Sequence, residues 1–207
     1  MKKSVEEHAE RFSAKAAEYD ESKTDEYHAC ANLAIEHASP NAGDVVLDLG
    51  AGTGAIGLAL APDADRVVLR DVSAGMLEQA REKIADRELD NVETAEGTFR
   101  EPDYAGPADV IVSNFALHHL SDAEKREAIE VMANYAPRRI VLGDVMFFGS
   151  PDPAAEFYSP EVDDPSTVGH LVDCFTDVGY AVTAVERVHD QVGVLVAERL
   201  GGKDSGE

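Results

Sequence analysis

The apolar run VVLDL, residues 45–49, stops abruptly at a glycine, and three more glycines follow within the next seven positions. A short β-branched run of this kind reads as a strand, and the glycine-rich stretch behind it as a sharp turn into a helix, expected from about Gly54. The same unit recurs. RVVLRD (66–71) is a second strand, and residues 74–89 form an amphipathic helix with Met76, Leu77, Ala80 and Ile84 on one face. A short strand lies near 91–96, another at 108–114, then a helix over 121–136 that Ser121 and Glu124 start as a capping box. A fifth strand covers 138–146. Alternating β and α elements with nearly continuous apolar strands predict an α/β fold, doubly wound around a mostly parallel sheet covered on both faces.

Both ends depart from the alternation. YAVTAVERVHD and QVGVLVAERL are separated by little more than a turn at Asp190-Gln191, so they form a hairpin and one strand must run antiparallel. Residues 1–40 are helical and polar, with Tyr27, Ala31, Ala34 and Ile35 as an apolar stripe that Pro40 ends. They are too few to carry a core of their own and read as a lid in front of a single domain over 41–200. The tail 201–207 reads as disordered. The insert 147–170 holds Phe147, Phe148, Phe157 and Tyr158, which either receive an apolar substrate or pack the insert onto the sheet.

Charge narrows the partners. With 41 acidic residues against 18 basic ones, the chain carries −23. The acids are spread along it rather than blocked. That distribution suits a carboxylate surface adapted to concentrated salt better than a patch for a cationic partner. No basic stripe points to nucleic acid. No apolar run approaches the roughly 20 residues a membrane helix needs, and MKKSVEEHAE lacks the apolar segment of a secretory signal. Cys30 and Cys174 have no paired spacing, so free thiols and a cytoplasmic location are expected.

The four glycines fit two frames. Gly52-Thr53-Gly54-Ala55-Ile56-Gly57 is a formal G-x-G-x-x-G, which would hold a dinucleotide by its pyrophosphate. Gly50-Ala51-Gly52-Thr53-Gly54, with Asp48 just ahead, suggests another ligand. Asp71, at the end of the second strand, suits ribose hydroxyls in either frame. Three features separate the frames. Asp48 would repel a pyrophosphate and attract an ammonium group. The strand ends at Leu49, so the turn starts at Gly50 and the dinucleotide frame begins two residues late. DVSAGML (71–77) places Ser73 and the apolar Met76 beyond the ribose acid, where a base can pack. The ligand expected is a nucleoside with a cationic amino-acid end and no phosphate, a description that S-adenosylmethionine meets.

VLDLGAGTG, DVSAGML and VIVSNFALHHL, in this order and spacing, resemble the class I S-adenosylmethionine-dependent methyltransferase family, most of all its small-molecule branch. The likeness is close over about residues 40–145. It implies a Rossmann-like seven-stranded sheet of order 3-2-1-4-5-7-6 with strand 7 antiparallel. It also implies roles. Asp48 would serve the methionyl end of the cofactor, and Gly50, Gly52 and Gly54 the close approach, a Cβ at Gly52 clashing with the cofactor. Ala51 and Thr53 would offer backbone groups, and Asp71 would bind both ribose hydroxyls. Val72 and Met76 would flank the adenine, Met76 being equally suited to the core. The acid that the family usually places after strand three is missing from AEGTF. Gly97, Thr98 and Phe99 stand there instead, so the polar contact to the adenine amine is open. Asn114 matches a position whose backbone faces the cofactor. Tyr19, in AAEYDE, resembles a lid tyrosine that closes over it.

The implied reaction moves the sulfonium methyl to an unidentified small-molecule acceptor and leaves S-adenosylhomocysteine. No residue is singled out as a base. His118 and His119 are candidates to line the pocket, and being adjacent they are not expected to bind a metal. A monomer or homodimer is expected, without nucleic acid or membrane. A non-catalytic sensor of the same cofactor and an NAD-dependent oxidoreductase are the rival readings.

Overall fold

A computed structural model describes residues 4–150 and 157–200. The sheet contains β1 (Val45–Leu49), β2 (Arg66–Asp71), β3 (Val92–Glu96), β4 (Val110–Asn114), β5 (Arg139–Phe147), β7 (Tyr180–His189) and β8 (Val192–Arg199), in the order β3-β2-β1-β4-β5-β8-β7. A two-residue β6 (Ser166–Thr167) pairs with β5 off this path. Leaving β6 aside, the order and the single reversed strand are those expected: β8 runs antiparallel to β5 with Val141 opposite Val196, and the β7–β8 hairpin turns at Asp190-Gln191.

The inner strands β1, β2, β4, β5 and β8 are buried on both sides, the edge strands β3 and β7 only in part, and alternate residues feed two cores. Leu47, Ile111 and Ile140 point to one face, under Ile129 and Met132 of α5 (Asp122–Asn134) and Phe175 of α6 (Val168–Asp177). Val46, Val110 and Val141 point to the other, under α2 (Asp25–Ala38), α3 (Gly57–Leu60) and α4 (Ala74–Asp86). The capping box at the start of α5 forms as its sequence predicts, Glu124 Oε2 accepting from the Ser121 N–H at 2.9 Å.

Two expectations need correcting, and one open alternative is decided. The helix after β1 begins at Gly57 rather than Gly54, because Gly50, Gly52 and Gly54 all take positive φ (+68°, +55° and +83°) and cannot continue a right-handed helix. The segment 1–40 is not one lid. Its first helix, α1 (Val5–Lys15), lies over the strand tips, but α2 belongs to the layer covering the sheet. Cys30, Ala34 and Ala38 are fully buried there, small side chains that let the helix sit close to β5; a Cβ on Gly143 would come within 2.7 Å of Cys30 Sγ. Finally, the aromatics of the insert pack rather than open a pocket. Phe147 meets Tyr158 at 5.5 Å between ring centroids, Phe157 meets His189 at 4.6 Å, and Phe148 abuts Gly193. The tail 201–207 lies outside the described residues.

Candidate functional site

A cavity of about 790 Å³ opens where β1, β2 and β4 end, roofed by α1. That is the crevice in which open α/β sheets bind ligands. Of the residues singled out in the sequence, Tyr19, Gly50, Gly52, Asp71, Val72, Met76, Gly97, Thr98 and Phe99 line it. Asp48, Ala51, Thr53, Gly54 and Asn114 are not in its wall.

The glycine loop is tied to its neighbour strand, with the N–H groups of Gly50 and Ala51 both donating to the Arg70 carbonyl (2.8 and 3.1 Å). A Cβ on Gly50 would lie 2.4 Å from Ala116 Cβ, so that glycine is needed for packing. On Gly52 the nearest heavy atom would be Tyr19 Cε1 at 3.8 Å, so there a side chain would project into the cavity.

Asp71 is the organising acid. Its Oδ1 accepts from the Ser73 N–H and its Oδ2 from the Gly52 N–H, each at 2.8 Å. The carboxylate thereby joins the loop to the start of α4 and, with the Val72 N–H also turned to it, still has acceptor capacity for the cavity. Burial pushes its pKa up against these hydrogen bonds. Asp48 sits deeper. Its Oδ2 accepts from the Gly57 N–H at 2.9 Å, and burial, reinforced by the charge of Asp71, raises its pKa to about 7. This contact decides between the two glycine frames. The N–H at the start of α3, which a pyrophosphate would need, is already taken by the chain's own carboxyl. Moreover, among the described residues the one arginine in the wall, Arg100, is paired with Glu124 and Glu127 (3.2 and 3.0 Å), and none of the described wall residues is a lysine that could meet a phosphate.

The loop after β3 is shaped by a buried arginine. Arg70 donates from Nε to the Pro102 carbonyl (3.0 Å) and from its guanidinium to Glu93 (2.9 Å). Within that loop Thr98 N–H donates to the Glu101 carbonyl, and Glu101 N–H donates to Thr98 Oγ1. The Thr98 hydroxyl therefore first serves its own turn. Met76 is both core and wall, at 1% exposure, so the two roles weighed from the sequence coexist. Asn114 closes β4, but the wall is made by the next two residues, Phe115 and Ala116. Phe115 holds φ +53°, a conformation costly for a side chain of this size and frequent at functional sites.

The remaining wall includes His119, one of the two histidines expected there, and otherwise residues that the sequence did not single out. Val5, His8 and Phe12 come from α1, and His119 and Leu120 from the turn after β4. The imidazole of His119 lies 4.8 Å from that of His8 and 5.4 Å from the Phe12 ring. Burial, with the neighbouring His118, lowers the His119 pKa to about 4, so the ring is neutral at pH 7. The amphipathic period of α1 could have revealed this face, whereas the convergence of α1 with the β4 turn could not.

A latch closes the roof. Thr53 Oγ1 donates to Asp20 Oδ1 (2.7 Å), and Lys83 donates both to Asp20 Oδ2 (2.5 Å) and to the Thr53 carbonyl (3.2 Å). Thr53 therefore acts through its side chain on the lid. Beside it, the Lys23 ammonium lies 3.2 Å from the centre of the Tyr19 ring and 3.8 Å from that of Tyr27, a cation–π clamp on the lid tyrosine. Ser13 and Ser73 hydroxyls meet at 2.8 Å and fix α1 to α4.

Comparison with known proteins agrees with this geometry. A family model described as a methyltransferase domain matches residues 46–136, from β1 through α5. An uncharacterised methyltransferase of Geobacillus sp. (strain WCH70) is 34% identical over 145 residues, 69% of this chain and 66% of the relative, just under two thirds of its length. The uncharacterised methyltransferase YrrT of Bacillus subtilis (strain 168) is 32% identical over 172 residues, 75% of this chain and 78% of that protein. Among solved structures, the DhpI-SAM-HEP complex shares the fold with a TM-score of 0.72 at 22% identity, over 94% of this chain and 97% of that one.

Proposed function

This chain belongs to the class I S-adenosylmethionine-dependent methyltransferases, and from that premise we propose that it transfers a methyl group from S-adenosylmethionine to a small-molecule acceptor. The observation that carries the reading is the Asp71 carboxylate at the cavity wall, in a site whose described residues include no unpaired lysine or arginine for a phosphate. Such a site fits a nucleoside held by its ribose.

The cofactor supplies an activated methyl group and its own leaving group, so the protein's work is orientation and exclusion of water. Asp71 holds the ribose, and Val72, Met76 and Phe99 flank the base. Gly52 admits the chain leading to the sulfonium, and Tyr19 closes over it. Asp48 lies behind the loop and contributes negative potential toward a cationic ligand. His8, Phe12, Phe115, His119 and Leu120 enclose the acceptor, which is accordingly small and partly apolar. Two acceptable ligand classes are separated by calorimetry. S-adenosylmethionine and S-adenosylhomocysteine should bind and NAD should not, and Asp71→Ala should lose about 10- to 100-fold in affinity, the worth of one or two charge-assisted hydrogen bonds. Binding of NAD, or an Asp71→Ala variant that binds like the parent, would overturn the reading.

We place the enzyme in a salt-rich cytoplasm, as a monomer or homodimer without a nucleic-acid partner. Support comes from the charge of −23 and the two buried free cysteines. Among the described residues no helix is long and apolar enough to cross a membrane. Self-repulsion at this charge is relieved by screening, so the melting temperature should climb between low and molar KCl. A fall over that range would remove the salt-adapted reading.

A further inference from the structure

The two histidines after β4 take part in an arrangement that methyl transfer does not require. They occupy a 3-10 turn, Leu117–His119, in which the rings of His118 and His119 lie with centroids 4.1 Å apart. Adjacency on an α-helix would have splayed them; in this turn they converge. A third group arrives from the connection between β5 and β6. Asp163 Oδ1 is 2.8 Å from His119 Nδ1 and 3.9 Å from His118 Nε2. The side chains of His118, His119 and Asp163 are 8%, 17% and 11% exposed.

We propose that His118, His119 and Asp163 form a binding site for one divalent transition-metal ion of the zinc class, pinning residues 157–165 to the turn after β4.

Three observations carry this. First, the donor atoms already lie within 4.8 Å of one another. Zinc bonds of about 2.0–2.1 Å in a tetrahedron put donors roughly 3.3 Å apart. The shorter of the two measured separations would open and the longer would close, each by about half an ångström. Second, His118 is braced as metal-bound histidines usually are, its other ring nitrogen held by a carboxylate. Its Nδ1 lies 2.5 Å from Asp144 Oδ1, and its backbone N–H donates to Asp144 Oδ2 at 2.8 Å. Asp144 is 2% exposed and also accepts from the Val145 N–H, so the ring is fixed with Nε2 toward Asp163. Third, the segment bearing Asp163 is already docked on the same turn, the Asp164 N–H donating to the His118 carbonyl at 2.7 Å. An ion would lock a junction that exists, and with it the His119 ring in the cavity wall.

Two imidazoles and one carboxylate select zinc, cobalt or iron over magnesium and calcium, which prefer oxygen. That preference separates the site from the carboxylate-rich surface. The test uses the whole chain stripped with a chelator and titrated with Co²⁺, read by visible absorption, then with Zn²⁺, read by thermal unfolding. Expected are d–d bands that saturate at one equivalent, displacement of Co²⁺ by Zn²⁺, and a rise in melting temperature with Zn²⁺ that Mg²⁺ does not reproduce. His119→Gln and Asp163→Asn, which leave the Asp144 brace intact, should each weaken Co²⁺ binding about tenfold or more. The proposal is overturned by absent bands, by bands undiminished in both variants, or by a Mg²⁺ shift equal to that of Zn²⁺.

Discussion

Replacing Asp48 by asparagine should make the protein more stable and a poorer binder of the sulfonium cofactor. Asp48 is 1% exposed, and its pKa stands at about 7 against an ordinary 3.8. Between those two values the folded protein keeps a proton that the unfolded chain has released. Stability therefore falls as the pH rises through that window, and the full penalty is present above pH 7. A shift of about 3 units at roughly 1.4 kcal/mol each sets a ceiling of about 4 kcal/mol. Asparagine keeps an oxygen for the Gly57 N–H but brings an NH₂ group whose burial without a partner costs about 1–3 kcal/mol. The net gain at pH 8 is then roughly 1–3 kcal/mol, or on the order of 3–10 °C for a chain of this size. At pH 4, where the folded carboxyl is protonated and the unfolded one only about half ionised, almost none of the penalty remains and the variant should gain nothing. Urea unfolding of parent and variant at pH 4, 6 and 8 measures the difference, and the background of other acids cancels between them. On the binding side, S-adenosylmethionine should lose more affinity than S-adenosylhomocysteine, which lacks the sulfonium charge. A variant equally stable at pH 8, or a difference independent of pH, would show that Asp48 is ionised at little cost and refute the argument.

Two further substitutions probe the loop and its lid. Gly52→Ala should bind S-adenosylhomocysteine at least about tenfold more weakly, with a stability loss of only about 1–2 kcal/mol from its positive φ. Gly50→Ala must also displace Ala116, and should lower the melting temperature further; equal losses of binding and stability in the two variants would contradict this division of labour. Thr53→Val removes the hydroxyl that reaches Asp20. Hydrogen exchange in α1 should quicken and the cofactor KM rise a few-fold while the melting temperature moves little, and unchanged exchange would show that the latch does not hold the lid.

The sheet was legible because its strands are short, β-branched and separated by amphipathic helices, so period and order survive without tertiary knowledge. The reversed last strand was visible for a local reason too, since only a turn separates the two final runs. What escaped depended on contacts between distant segments. Residues 25–38 and 5–15 are both polar-rich helices, and only docking shows that Ala34 and Ala38 meet the sheet while His8 and Phe12 face the cavity. Asp71 could be singled out because its role follows from its place at a strand tip. The latch role of Thr53 could not, since Asp20 lies 33 residues away. His118 and His119 were judged by helical geometry, and the 3-10 turn that brings their rings together has no signature in HH alone.

The two loop acids also explain why the turn takes its shape. Three alternate glycines, Gly50, Gly52 and Gly54, hold positive φ and so form a turn whose N–H groups point inward. Asp71 collects those of Gly52 and Ser73, and Asp48 that of Gly57. Each carboxylate pays for this service with burial, and the charge of Asp71 adds to the cost at Asp48. A ligand that is cationic near the loop relieves the repulsion, whereas a pyrophosphate would add two more negative charges to it. Affinity for the cation should therefore grow as the pH passes upward through about 7, where Asp48 ionises. The loop is thus selective through the charges held behind it as much as through the groups it shows to the cavity.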